Sequence, residues 1–137
     1  MADNEKIIEL LQGAIGYLNK VQKRKNLISD PLQNENYSLM LKEFNNLING
    51  LEALNELLQQ IEVIFAIDYT KETYKGKVLK KYIDEFNSFL MSLIEAMENE
   101  DYFLVADLVE YEFDNYLNQY KKVFVYLLDS VSKIKVI

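Results

Sequence analysis

The stretch that decides the fold spans residues 37–65 and has the sequence YSLMLKEFNNLINGLEALNELLQQIEVIF. Its apolar side chains recur in alternating steps of three and four residues: Tyr37, Met40, Phe44, Leu47, Leu51, Leu54, Leu58, Ile61 and Phe65. On an α-helix that spacing brings all nine side chains onto one stripe, which must be buried against other helices. Residues 37–65 therefore predict one long helix that packs within a helical bundle.

Three other segments of the chain have the same period, while the two-residue alternation typical of half-buried strands is missing. We expect an all-α fold with helices at residues 3–28, 35–67, 71–99 and 101–132. The connections between them are short, and long helices with short connections typically form an antiparallel up-down four-helix bundle. A length of 137 residues fits a single domain over residues 1–137.

The first connection contains the only proline of the chain, Pro31. We expect it to end the first helix, because proline cannot continue a helix and disfavours helical geometry in the residue before it. Asp30, Asn34 and Asn36 all have side chains suited to cap the next helix. The start of that helix therefore stays open between Pro31 and Asn36.

Two further features of the predicted helices concern their packing. The second half of the long helix carries extra apolar residues, namely Leu57, Val63, Ile64 and Ile67. They indicate either burial on two sides of the helix or an exposed apolar patch, and we expect the first. The first helix contains Gly13 and Gly16, which we expect to allow close packing against a neighbouring helix.

The chain contains no cysteine and no histidine. Disulfides and thiolate catalysis are therefore excluded, and the usual general base near neutral pH is missing together with the commonest metal ligand. Dimetal carboxylate bundles also need histidine. We expect no catalytic residue, no bound cofactor and no metal site, and hence no enzyme.

The formal net charge of −7 disfavours nucleic acid and anionic membranes as partners. Basic residues cluster at positions 20–25 and 71–81, and an up-down bundle places these clusters at opposite ends, so they form no continuous stripe. The helix dipole explains the first cluster without an anionic ligand. The N-terminus has no signal-peptide pattern and the longest apolar runs are far shorter than a membrane span, so we expect a cytoplasmic protein.

The most unusual chemistry lies on the last helix, where Asp107, Glu110 and Asp114 are spaced to share one face and Glu112 lies around the cylinder. Tyr111 stands between these carboxylates. The group indicates a surface for a basic partner or a weak divalent-cation site, and a solvated acidic face is the simpler alternative. A remote possibility is a Mg²⁺-dependent hydrolase that uses Glu110 and Asp114.

The run DYFLVADLVEYE at residues 101–112 resembles a segment of small, uncharacterised helical proteins of Firmicutes. In those proteins an Ala-Asp-Leu-x-Glu-Tyr-Glu pattern opens the last long helix, and here the matching residues are 106–112. The resemblance covers about a dozen residues. It implies a role for Asp107, Glu110 and Glu112 beyond solvation, and it implies no activity. In size, acidity and layout the chain also looks like a flagellar secretion chaperone.

These observations favour a non-enzymatic module that binds another protein, with an apolar or basic helix of the partner lying in a groove between bundle helices. Chaperoning or assembly of a secreted protein is the most concrete version. The alternative is an acidic inhibitor or immunity-type protein that neutralises a basic partner. The sequence does not identify the partner, and a homodimer through the long helix is also possible.

Overall fold

Helices account for nearly all of the computed structural model, which describes residues 2–134, with side chains from Asn4 onward. The elements in chain order are α1 (Ala2–Lys23), α2 (Asn26–Gln33), α3 (Tyr37–Ile64), β1 (Thr73–Tyr74), β2 (Lys77–Val78), α4 (Leu79–Glu98), α5 (Tyr102–Asp107), a π turn (Leu108–Glu112) and α6 (Phe113–Ser132). Helices α5 and α6 and the π turn between them form one continuous helical segment. The predicted all-α four-helix bundle is thus confirmed, with α1, α3, α4 and α5–α6 as its four helices.

Contacts between the helices give the up-down order. Lys121 Nζ donates to Asn19 Oδ1 at 2.9 Å, and Lys25, just beyond α1, pairs with Asp114 at 3.0 Å. As the residue number rises in α1 it falls in α6, so these two helices are antiparallel. Stacked aromatic pairs show the same relation between α4 and α6, and these pairs are Phe86 with Tyr120 and Phe89 with Tyr116.

The long helix α3 runs parallel to the α5–α6 segment. Tyr37 at its start stacks on Tyr102, and Asn55 in its middle accepts a hydrogen bond from the hydroxyl of Tyr120. The bundle therefore has two distinct ends. The hairpin end holds β1 and β2, and the π end holds α2, α5 and the π turn.

The buried residues form one core, whose largest fully buried side chains include Phe86, Phe113, Tyr120 and Phe124. The rings of Phe86 and Tyr120 stack with centroids 4.1 Å apart. Predicted stripe residues of the long helix from Met40 to Ile61 are buried in this core. Burial of the long stripe is the main force that holds α3 in the bundle, at about 25 cal/mol per Å² of apolar surface.

The first predicted helix, 3–28, is divided in the structure. α1 ends at Lys23, and α2 starts at Asn26 and turns its apolar side onto α3. The prediction that Pro31 ends a helix is wrong, because Pro31 lies inside α2 and is buried beside Leu32. Its carbonyl oxygen accepts from the N–H of Asn36 at 2.7 Å. Burial against α3 offsets the backbone hydrogen bond that proline cannot donate.

The third predicted helix, 71–99, starts later than expected, at Leu79. The residues before it form a two-stranded antiparallel hairpin in which Thr73 pairs with Val78 and Tyr74 with Lys77. The two turn residues have positive φ values, 52° for Lys75 and 79° for Gly76. Such pairs of positive φ angles are typical of the tight turns that match the twist of a hairpin.

Two expectations about helix packing differ from the structure, one about the apolar side chains of α3 and one about the glycines of α1. Of the four extra apolar residues, Val63 is 81% exposed and Ile64 is 54% exposed, so these two form an exposed patch, while Ile67 is half-buried against the core. Leu57, by contrast, is buried. A Cβ atom added to Gly13 or Gly16 would meet nothing within 4 Å, so neither glycine is required for close packing.

Candidate functional site

The π turn sets the geometry of the predicted site. The buried positions Val105, Val109, Phe113 and Leu117 follow one another in three steps of four residues. An α-helix turns about 100° per residue, so three such steps would rotate the stripe by about 120° away from the core. A π turn has wider rings and absorbs this rotation. Its position at Leu108–Glu112 keeps all four side chains buried.

The same helical segment exposes two large aromatic side chains. Phe103 is 91% exposed and Tyr111 is 77% exposed. Asp107 and Glu110 lie between them in sequence and are also exposed. We call these four residues the acidic aromatic surface. Phe103 and Tyr111 each lie four residues from Asp107, and Glu110 lies three residues after it, so Asp107 neighbours the other three positions along the helix surface.

The region around the acidic aromatic surface is negatively charged. Residues 82–120 include ten Asp and Glu residues and no Lys or Arg. Three of these carboxylates, on Glu98, Glu100 and Asp101, are exposed around the connection from α4 to α5. Asp101 also caps α5, because its Oδ1 accepts from the N–H of Leu104 at 3.3 Å. Lysines outside this stretch pair with Asp84, Glu85 and Asp114, and the remaining carboxylates have no ion-pair partner among the described side chains, so their field attracts cations.

A stacked tyrosine pair supports the start of α5 at this end of the bundle. The rings of Tyr37 and Tyr102 lie 4.6 Å apart and nearly parallel. Partial burial raises the pKa of Tyr102, and the negative charge of Glu100 raises it further. Tyr102 therefore stays neutral at physiological pH and anchors the first turn of α5 to α3.

Glu112 and Asp114 have surroundings different from those of the other predicted site residues. Glu112 is exposed at an open groove of about 760 Å³ between α4 and α6, opposite Phe89 and Ser92. Asp114 is part buried, and its Oδ2 pairs with Lys25 at 3.0 Å. Its other oxygen, Oδ1, is buried without a hydrogen-bond partner among the described residues. The structure thus leaves Asp107, Glu110 and Tyr111 exposed on one helical segment, and it pairs Asp114 with Lys25, just beyond α1.

A metal site needs several carboxylates close together, since oxygen atoms are the ligands of Mg²⁺ and Ca²⁺. Among the described side chains, those of residues 4–134, no three or more Asp or Glu lie close enough to hold a metal ion together. Of the suggested pair, Glu110 is exposed and Asp114 already has a cationic partner.

Phe103 is the residue of this surface that the sequence pattern did not single out. It lies outside the apolar stripe of its helix, four residues before Asp107 and eight before Tyr111. Phe103 is a large aromatic residue on the polar side of an amphipathic helix, and a second exposed aromatic residue, Tyr111, lies on the same helical segment. The position of Phe103 relative to the stripe could have indicated the site.

Comparison with known proteins identifies a family whose function is unknown. One family model matches residues 9–123, which is most of the chain, and its description is a domain of unknown function, DUF8042. No curated protein matches the chain, and no solved structure matches it. None of the described helices combines the length and the apolar character needed to cross a membrane.

Proposed function

The chain belongs to the DUF8042 family, and on that premise we propose that it is a non-enzymatic interaction module that binds a basic amphipathic helix of a partner protein. The binding site is the acidic aromatic surface. The single observation that carries this proposal is the exposure of Phe103 and Tyr111 on a strip that also presents Asp107 and Glu110.

The aromatic pair supplies the apolar part of the proposed contact. Full burial of a side chain such as Phe contributes roughly 1.5–3 kcal/mol, and the fold leaves this contribution unused at Phe103. Aromatic residues are enriched at the cores of protein interfaces and among the residues that dominate binding. Phe103 and Tyr111 lie about two helical turns apart, which matches the spacing of anchor residues on a partner helix.

The carboxylates define the charge of the partner. A partner with lysine or arginine beside its apolar anchors would pair with Asp107 and Glu110 and would be attracted by the wider negative region. Complementary charge raises the association rate, and salt reduces this effect because it screens the attraction between the charges. A basic amphipathic helix therefore fits this surface better than an acidic or purely apolar one.

Other parts of the chain are weaker candidates for this role. The apolar run 123–128 belongs largely to the core, because Val123, Phe124 and Leu127 are fully buried. The exposed patch of Val63 and Ile64 lies towards the hairpin end and has no cluster of carboxylates like that of residues 98–112. The proposal is accordingly placed at the π end.

The acidic inhibitor remains the second candidate, because the run of ten carboxylates would also suit a folded basic enzyme. The two functions differ in the aromatic contribution. Binding of an amphipathic helix depends on Phe103 and Tyr111 even at high salt, whereas charge neutralisation is lost as salt rises. The first proposal includes a role in chaperoning or assembly of a partner protein. It also includes a cytoplasmic location, because a reducing compartment suits a chain without cysteine.

The resemblance of residues 101–112 to small Firmicutes proteins adds a further reason to look at this surface. Under this proposal, the Ala-Asp-Leu-x-Glu-Tyr-Glu pattern serves two purposes. Leu108 belongs to the core, while Asp107, Glu110 and Tyr111 form the contact. The wider occurrence of that pattern stays a prediction.

The proposal is tested by photo-crosslinking in cells of the source organism. Benzoylphenylalanine replaces Phe103 in one variant and Met91, which is 58% exposed on α4, in a control variant. We expect a discrete adduct from position 103, none from position 91, and a partner segment rich in lysine or arginine at the cross-link.

A second set of variants separates the two functions. Phe103→Ala with Tyr111→Ala should abolish capture of the cross-linked partner at low and high salt, while Asp107→Asn with Glu110→Gln should remove mainly its salt dependence. A partner that the aromatic double variant still binds would favour charge neutralisation. Equal adducts from positions 91 and 103 would refute the surface.

A further inference from the structure

A second, separate feature of the π end is a cavity where α1, α2, α3 and the π turn meet. Its volume is about 330 Å³, which lies within the range of roughly 300–1,000 Å³ typical of small-molecule sites. The apolar part of its wall is formed by Val21, Leu27, Ile28, Leu47, Val109 and Phe113. The break between α1 and α2 opens this space, since the chain turns away there from the axis of α1.

The rim of the cavity is basic, although the whole chain is acidic. Lys20, Arg24 and Lys25 line it, and Arg24 is the only arginine of the chain. Among the side chains that the structure describes, Lys25 has an ion-pair partner in Asp114, whereas Lys20 and Arg24 have none. The helix dipole favours cations at the end of α1. It does not account for their position around an apolar cavity.

The polar groups of the cavity are not all cationic. Glu43 of α3 also lines it, and so do Asn46 and the half-buried Tyr17. Burial raises the pKa of the Tyr17 hydroxyl, which therefore stays neutral and can donate a hydrogen bond. Asp114 neutralises Lys25, so the two cations Lys20 and Arg24 exceed the single carboxylate of Glu43 around the cavity. An anionic group would lie near Lys20 and Arg24 and away from Glu43.

We propose that this cavity binds a small amphiphilic anion, with one carboxylate or phosphate head group held by Arg24 and Lys20 and a short apolar tail among Leu27, Leu47 and Phe113. The guanidinium of arginine presents paired N–H donors that match the two oxygens of such a head group. The apolar wall supplies the remaining affinity by removing the tail from water. The site uses residues other than those of the acidic aromatic surface, so it does not depend on the proposed function.

The experiment is a titration of the full chain with octanoate and with octyl phosphate, followed by amide chemical shifts and calorimetry below the micelle concentration. We expect saturable binding with shifts at residues 20–28, 47 and 109–113. The stronger of the two ligands identifies the head group. Octanol and octylammonium serve as neutral and cationic controls, and both should bind at least tenfold more weakly.

Three exposed or half-buried side chains give matched variants. Arg24→Gln should weaken octanoate or octyl phosphate binding by about tenfold or more, as expected for loss of a charged hydrogen bond. Glu43→Gln should strengthen it, because the opposing carboxylate is removed. Lys42→Gln, outside the cavity wall, should leave it unchanged. The gain in Glu43→Gln is informative because misfolding could not produce it.

Either of two results would overturn the proposal. The first is the absence of saturable shifts at residues 20–28 with both anions. The second is binding that octanol reproduces with equal strength or that Arg24→Gln leaves intact, since the cavity would then select for apolar surface alone.

Discussion

At the scale of single residues, Tyr120 links three helices of the bundle. Its ring stacks on Phe86 of α4, and its hydroxyl donates to Asn55 Oδ1 of α3 at 2.5 Å. Asn55 Nδ2 in turn donates to Asn87 Oδ1 at 3.0 Å. A polar chain of this kind fixes the relative positions of the helices, because each member loses its partner if one helix shifts.

We therefore expect Tyr120→Phe to keep the aromatic stack and to leave Asn55 Oδ1 without its donor. Loss of this hydrogen bond should lower the free energy of unfolding by about 1–3 kcal/mol in urea titrations. Tyr116→Phe is the control, because Tyr116 also stacks on a phenylalanine but its hydroxyl bonds no described residue. Equal effects of the two substitutions would contradict the role of the Tyr120 hydroxyl.

The same residue gives a pH dependence with a definite sign. Burial raises the pKa of Tyr120 well above its ordinary value of about 10, with a smaller effect from Tyr69. The folded state thus retains this proton where the unfolded state releases it. The stabilisation is complete below about pH 10 and is lost as the pH rises above that value. Tyr120→Phe should flatten the fall of the urea midpoint between about pH 9.5 and 11.5.

The glycines of α1 and α3 differ in what surrounds them. A Cβ added at Gly50 would overlap the hydroxyl of Tyr17, whereas one added at Gly16 would lie in open space. Gly16→Ala should therefore raise the free energy of unfolding by roughly 0.5–1 kcal/mol. Gly50→Ala should give no such gain, because Tyr17 must move. Thermal unfolding of the two variants, followed by circular dichroism, makes the comparison, and an equal gain at both sites would contradict it.

At the scale of elements, the hairpin shows why one predicted boundary was wrong. The hydrophobic period detects long helices such as α3, but strands of two residues are too short to establish any period. The local signal was Gly76, next to Lys75 and between Tyr74 and Lys77. Tertiary contacts then hold the hairpin, since Tyr82 donates to the carbonyl of Tyr74 at 2.8 Å.

The positive φ angles of the hairpin turn predict opposite effects of two substitutions. Lys75→Asn should raise the free energy of unfolding by a few tenths of a kcal/mol, because Asn-Gly is the favoured pair for two positive φ angles. Gly76→Ala should lower it by about 1–2 kcal/mol, the cost of a left-handed residue with a Cβ atom. Urea titration of both variants checks the signs. A neutral Gly76→Ala would indicate a hairpin that plays no part in the global stability.

At the scale of the whole molecule, the sequence predicted the bundle and part of the candidate site. The stripe of α3 and the short connections were enough for the fold, because burial of long apolar stripes outweighs local details. The exposure of Asp107 and Glu110 could also be predicted, because charged residues outside the apolar stripe are expected on the surface. The pairing of Asp114 with Lys25 could not be predicted from the sequence, because it joins residues far apart in the chain and depends on the break after α1.

Charge is also divided between the two ends of the molecule. At the hairpin end Lys71, Lys77 and Lys80 pair with nearby carboxylates, whereas the exposed carboxylates of residues 98–112 have no ion-pair partner among the described side chains. The rim of the cavity, with Lys20, Arg24 and Lys25, is a basic part of the π end. A basic partner would therefore approach the π end at the acidic aromatic surface, while a small anion would be drawn to the cavity rim.

The π turn corresponds to one inserted residue, and hence to one inserted codon, in an otherwise regular heptad repeat. Without Glu110, the buried positions from Val105 to Val131 would follow in steps of four and three alternately, as in an uninterrupted heptad pattern. Deletion of that codon should therefore yield a shorter protein that still folds, with the π turn replaced by α-helix. Deletion of Ser88 from the regular helix α4 should instead rotate Leu93 and Met97 by about 100° out of the core and prevent folding. Urea titration would show whether the Glu110 deletion variant folds. Its structure would show whether regular α-helix replaces the π turn.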